Sequence, residues 1–269
     1  MTARSPGRRP NPAVHLVADV QLRARAGPLV ARVHWPAPVG PARLRPALLV
    51  LLPGGRSGTE GLDEADALCR ALCRHAGVVV LTVSGRVGWK CFQTSALDDA
   101  VTATTWAADH AAELGADPGR LLVAGEALGG RLAAAVALHA RDDGWPVITR
   151  QLLIRPDLGT GEHRPPPAGR DLLDLPADAP SLAAVAPVTV VVAGEDGPGV
   201  DDGRRYAALL RHAGVDVDEL RCDDPPHHRR RAGAGAGADQ IARNVARSLR
   251  ATLDAPPAGA RPPHRDVPA

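Results

Sequence analysis

The chain has 269 residues, with 32 Lys and Arg against 30 Asp and Glu and a formal net charge of +2. That balance supplies no global field to draw the protein onto nucleic acid or an anionic membrane, and neither is expected as a partner. Aromatic residues make up 2% of the sequence, so the core has to be built mainly from Val, Leu and Ala.

Residues 1–13 are basic, lack periodicity and lead into no apolar stretch of signal-peptide length; they read as a disordered arm. Val14–Leu22 and Leu29–Trp35 flank RARAGP and read as a β-hairpin. ALLVLL, Ala47–Leu52, is an apolar run of the kind that is covered on both faces of a sheet. The glycine loop PGGRSGT follows, and then a helix predicted over Leu62–His75 with Leu68, Cys69 and Leu72 on one stripe. VVVLTV, Val78–Val83, is the next buried strand, Ala96–Leu114 a second helix, and RLLVAG, Arg120–Gly125, a third buried strand. Gly129–Ala140 is helical, and Thr149–Ile154 and Val188–Ala193 are strands on either side of a proline-rich stretch. Gly203–Ala213 is a helix and Val217–Arg221 a strand. AGAGAGA, Ala232–Ala238, reads as a flexible connector before a closing helix over Asp239–Leu253, and residues 255–269 as a disordered tail.

Apolar strands alternating with helices imply an α/β fold: a predominantly parallel sheet with helices on both faces, in one domain over residues 14–254. No run approaches the roughly 18 apolar residues of a membrane span, and a cytoplasmic protein is expected. Cys69, Cys73, Cys91 and Cys222 contain no CxxC pair, and Cys69 and Cys73 share a helix face without partner ligands. Cys69 and Cys73 read as small buried hydrophobes, with no metal or cofactor expected.

Four pieces fall at the C-terminal ends of strands, where open α/β sheets place their ligands. PGG, Pro53–Gly55, is a turn whose backbone N–H groups suit an oxyanion. GEALGG, Gly125–Gly130, has the small residues at Gly125 and Gly129 that a strained strand-to-helix corner demands, with Ala127 at its apex. Asp196 follows a buried strand, and His227 and His228 follow the last one. Taken singly, Asp196 is as well explained as a loop cap and the HHRRR run as a solvated turn. Together they give the order corner, acid, histidine.

On these residues the chain resembles the hormone-sensitive-lipase-like branch of the α/β-hydrolase fold, which includes bacterial carboxylesterases. The stretches that carry the resemblance are LLVLLPGG, DALCRALCRHAGVVVLTV, SALDDAVTATTWAADHAAELGADPGRLLVAGEALGGRLAAAVAL and AGEDGPGVDDGRRYAALLRHAGVDVDELR. The resemblance puts Pro53 where the family has the histidine of its HGGG loop, Gly54 and Gly55 at the oxyanion glycines and Arg56 at a third glycine. It puts Ala127 in place of the nucleophilic serine and Leu128 where a small residue is usual, its N–H still able to serve an oxyanion hole. Asp196 matches the triad acid with one inserted residue, and His228 rather than His227 matches the histidine. The cap segments are short, and the cap is expected to be largely missing.

An acyl-enzyme needs a side-chain nucleophile beside a histidine base, and alanine offers a methyl group. An engineered Ser-to-Ala change explains Ala127 alone, whereas Pro53, Arg56, Leu128, Arg229 and Arg230 depart from the family together, which favours natural degeneration. The leading reading is a catalytically degenerate carboxylesterase-like protein kept to bind a small acyl- or ester-like ligand or a protein partner. The alternative is an active carboxylic-ester or amide hydrolase with a substitute nucleophile among Ser57, Ser84, Ser95 and Cys91. A third reading, a structural or heterodimer subunit, predicts no ligand.

Overall fold

A computed structural model describes residues 14–25, 27–37, 46–54, 58–83, 94–158, 181–193, 198–222 and 234–254. Within them the strands are β1 (Val14–Ala24), β2 (Gly27–Pro36), β3 (Leu48–Leu52), β4 (Val79–Val83), β5 (Leu121–Glu126), β6 (Ile148–Ile154), β7 (Val188–Ala193) and β8 (Val217–Cys222). The helices are α1 (Gly58–Ala76), α2 (Thr94–Asp109), α3 (Leu128–Asp143), α4 (Pro198–His212) and α5 (Ala234–Asp254). One sheet holds the strands in the order β1-β2-β4-β3-β5-β6-β7-β8. β1 and β2 pair antiparallel, β2 meets β4 antiparallel, and every later pairing is parallel. The apolar runs account for this: β3, β4 and the first five residues of β5 are buried, as strands covered on both faces must be.

Alternate side chains along each strand enter one of two apolar layers. Leu48, Val50, Leu121, Val123, Leu153 and Val190 pack with Ala103 and Ala107 of α2, Ala133 and Val136 of α3, and Tyr206 and Leu210 of α4. Leu49, Leu51, Leu122, Ala124, Leu152 and Val191 pack with Leu68 and Leu72 of α1 and Ile241, Val245 and Leu249 of α5. Alanine at the helix contacts does the work that larger side chains do in aromatic-rich cores, because it lets helix backbones sit close to the sheet.

Several helix ends differ from the sequence expectation, among them α4, which begins at Pro198 rather than Gly203. Helix α1 begins at Gly58, four residues before Leu62, entering through a glycine of φ 66°. Helix α2 ends at Asp109, and the chain continues in turns through His110 and Leu114 to Gly115, a glycine of φ 74°. The AGAGAGA stretch is not a connector over its whole length, since α5 starts at Ala234. Gly costs a helix about 1 kcal/mol relative to Ala, but Ala238 is buried in the layer that α5 shares with α1, and that packing carries the helix back into the stretch. Cys69 and Cys73 are buried thiols, in keeping with their reading as small hydrophobes; Cys222 is buried as well, and Cys91 lies outside the described residues.

Candidate functional site

The corner between β5 and α3 is built on Ala127, whose backbone stands at φ 52°, ψ −117°. L-residues avoid this region because Cβ crowds the neighbouring carbonyl, and they keep it only where the surroundings over-determine it. Here the Ala127 N–H donates to the Ile154 carbonyl at 3.0 Å, and its own carbonyl accepts from Gly130 N and Asp157 N, each at 3.0 Å. Both main-chain groups of the apex are thereby tied to α3 and to the exit of β6.

Close backbone approach explains the glycines around it. A Cβ on Gly125 would lie 1.9 Å from the Gly129 carbonyl oxygen, and one on Gly129 would lie 1.9 Å from the Leu52 carbonyl oxygen. One on Gly54 would lie 2.2 Å from the Glu126 oxygen and 2.8 Å from Leu128 N. The turn after β3 therefore presses directly against the first residues of α3. The opening N–H groups of a helix have no partner within it, so Leu128 N–H sits at the junction with Gly54. Pro53 contributes no N–H.

The structure thus brings together Gly54, Gly125, Ala127, Leu128 and Gly129. Gly55, Arg56, Asp196, His227 and His228 lie outside the described residues, as do Ser57 and Ser84; Ser95 opens α2, with its side chain outside the description. A methyl at the apex has no atom that can attack a carbonyl.

Several polar residues around the corner were not singled out by the sequence. Arg155 directly follows β6, has φ 46° and donates through Nη2 to Glu126 Oε1. Arg131 of α3 donates through Nε to the Asp157 carbonyl at 3.0 Å, and Asp202 of α4 accepts the Leu158 N–H at 3.1 Å. The exit of β6 is therefore held by α3 and α4 as well as by the apex. The one sequence signal is the charged RPD directly after an apolar strand. A groove of about 370 Å³ lined by Ala137, Arg141, Pro146, Val147 and Pro187 lies near the starts of β6 and β7, the end of the sheet opposite the corner.

On the other face of the sheet a polar cluster is buried between β2 and α1. His34 Nε2 meets Asp66 Oδ1 at 3.1 Å with both side chains essentially inaccessible, and Arg70 Nε donates to Asp66 Oδ2 at 2.8 Å. Burial opposes the charge on Asp66, but the hydrogen bonds from His34 and Arg70 outweigh it and hold the carboxyl well below its ordinary value. Since an ionised carboxylate only accepts, His34 Nε2 carries the proton.

Comparison with known proteins finds relatives that are named as esterases. The family described as alpha/beta hydrolase fold matches residues 49–176. Esterase LipI of Mycobacterium tuberculosis is 34% identical over 229 residues, covering 75% of this chain and 71% of LipI. The carboxylic ester hydrolase LipN of the same organism is 35% identical over 78% of this chain, which spans 63% of LipN, less than two thirds of its length. Among solved structures, the hyperthermophilic esterase from Pyrobaculum calidifontis superposes with a TM-score of 0.73 at 28% identity, over 90% of this chain and 87% of that one. The sheet order, the strained corner and these likenesses agree, and the chain belongs to the α/β-hydrolase fold family, in its carboxylesterase-like, hormone-sensitive-lipase-like branch.

Proposed function

We propose that this protein is a non-hydrolysing member of its family, in which Ala127 occupies the nucleophile position and the corner serves to bind an uncharged acyl- or ester-like ligand. The observation that supports this reading is the apex itself: Ala127 holds φ 52°, ψ −117° while carrying no nucleophile. Such strain costs about 1–3 kcal/mol, a cost that a site without any use has no reason to retain. Loss of a serine nucleophile lowers turnover about a million-fold in a well-measured protease. That factor outweighs whatever the junction of Gly54 and Leu128 contributes to stabilising an oxyanion.

A hydrolytic reading draws on one observation, that the curated relatives LipI and LipN are named as an esterase and a carboxylic ester hydrolase. Incubation of the full chain with a serine-reactive fluorophosphonate, followed by intact-mass measurement, decides between the two. The binding reading expects no adduct, together with saturable protection of the fold by short-chain esters in thermal melts. A stoichiometric adduct overturns it and its tagged peptide identifies the substitute nucleophile.

A further inference from the structure

Glu126 and Arg155 meet beside the apex from two different strands. Glu126 ends β5 and directly precedes Ala127; Arg155 directly follows Ile154, whose carbonyl accepts the Ala127 N–H. The guanidinium is 9% exposed and the carboxylate 20%. Arg155 also keeps φ 46°, and its N–H donates to the Val191 carbonyl of β7 at 2.7 Å. Ala127 and Arg155 are thus two positive-φ residues in adjoining segments that are linked twice, by the Ala127 N–H to the Ile154 carbonyl and by the Glu126–Arg155 ion pair. Sheet closure does not require the ion pair, because β5 and β6 already pair in one continuous register from Leu122 to Glu126.

A guanidinium largely removed from water needs a counter-charge, and a carboxylate one residue from the apex would impose its field on anything bound there. A like charge that close disfavours the anionic form of a titrating group placed at the apex. We propose that Glu126 and Arg155 are the positioning pair of this site. Arg155 offsets the Glu126 charge beside residue 127 and clips the top of β5 to the top of β6, so that the apex stays raised. This role goes beyond the binding reading and holds whether or not the site turns a ligand over.

The test places a thiol at the apex. In the full chain bearing Ala127→Cys, alkylation by iodoacetamide is followed across pH and quantified by mass on the peptide containing position 127, which separates it from Cys69, Cys73, Cys91 and Cys222. Adding Arg155→Met is expected to raise the titration midpoint by about one unit, because the remaining carboxylate disfavours a thiolate. Adding Glu126→Gln to that variant returns the midpoint to within a few tenths of its starting value, and Arg155→Lys, which keeps the charge, leaves it there. Should Arg155→Met fail to fold, Glu126→Gln alone carries the test, with a midpoint lowered by a similar amount. An Arg155→Met protein that melts early but titrates unchanged overturns the proposal, as does a double variant that stays shifted. A thiol at the apex that alkylates only after denaturation overturns it too, since the apex is then not raised.

Discussion

Gly54 and Glu126 stand so close that the β-carbon of any larger residue at 54 would lie 2.2 Å from the Glu126 carbonyl oxygen. Both atoms in that contact are fixed by backbone, so neither can turn away. Gly54→Ala is therefore expected to push the turn after β3 off the start of α3, at a cost of about 1–3 kcal/mol. Denaturant melts measure the loss, and binding of a short-chain ester should weaken with it. An alanine accepted at 54 with unchanged stability would show that the turn stands further from the corner.

Restoring the hydroxyl alone should do little. Ala127→Ser places Oγ on an apex already bent for it, with Asp196 and His228 as the proposed orienter and base. Pro53 still lacks an N–H, and Arg56 and the short cap segments remain. Each missing oxyanion donor is worth about a hundredfold or more. Hydrolysis of a nitrophenyl acetate should rise above the wild-type background yet stay several orders of magnitude below the roughly 10 per second of a typical enzyme. Ordinary esterase rates in this variant would remove the support for the binding reading.

Ala127→Gly should stabilise the protein. Glycine accepts φ 52° without the penalty that alanine bears, about 1–2 kcal/mol, although it also gives the unfolded chain about 0.4–1 kcal/mol of extra entropy. The net expectation is a gain of about 1 kcal/mol, read as a higher denaturant midpoint at unchanged slope. A loss of stability would mean that the alanine methyl makes packing contacts that outweigh the strain.

Acid should weaken the fold through Asp66. Its folded carboxyl lies below its unfolded value, so the stabilisation is complete above about pH 5 and drains away as pH falls through the unfolded value toward the depressed folded one. Asp66→Asn should cost about 2–4 kcal/mol at pH 7, where His34 and Arg70 lose their charged partner. It should also flatten the dependence of the unfolding midpoint between pH 5 and 2, measured by urea melts at half-unit steps. A variant with the wild-type acid slope would assign that slope to other carboxyls.

The buried thiols should be inert. Burial pushes Cys73 up to about 12 and Cys69 higher still, the latter aided by the nearby Asp66 carboxylate. Thiolate is the reactive form, so at pH 8 neither should react with iodoacetamide in native buffer, and both should label fully in denaturant. Native labelling at Cys69 would show that α1 lifts from the sheet.

The corner was legible in the sequence because its constraints are local: an apolar strand, glycines at 125 and 129 and an alanine-rich helix follow one another within Leu121–Ala140. The parallel sheet was legible for the same reason, since strands buried on both faces show as unbroken Val and Leu runs. The Glu126–Arg155 and His34–Asp66 contacts were not, because partners 29 and 32 residues apart leave no spacing to read. The start of α5 was misread because AGAGAGA has the composition of a coil, while the burial of Ala238 against α1 is a long-range fact.

The shape of the apex is stored in clearances between backbones at Gly54, Gly125 and Gly129, and none of it is stored in the side chain at the summit. Inheritance of the architecture is thereby uncoupled from inheritance of the chemistry. A lineage can lose the reactive group in a single nucleotide change, GCN for TCN, without any selection against misfolding. The same change in reverse returns a hydroxyl to a mould that has been kept open, so in such a protein the glycines, not the serine, record its ancestry.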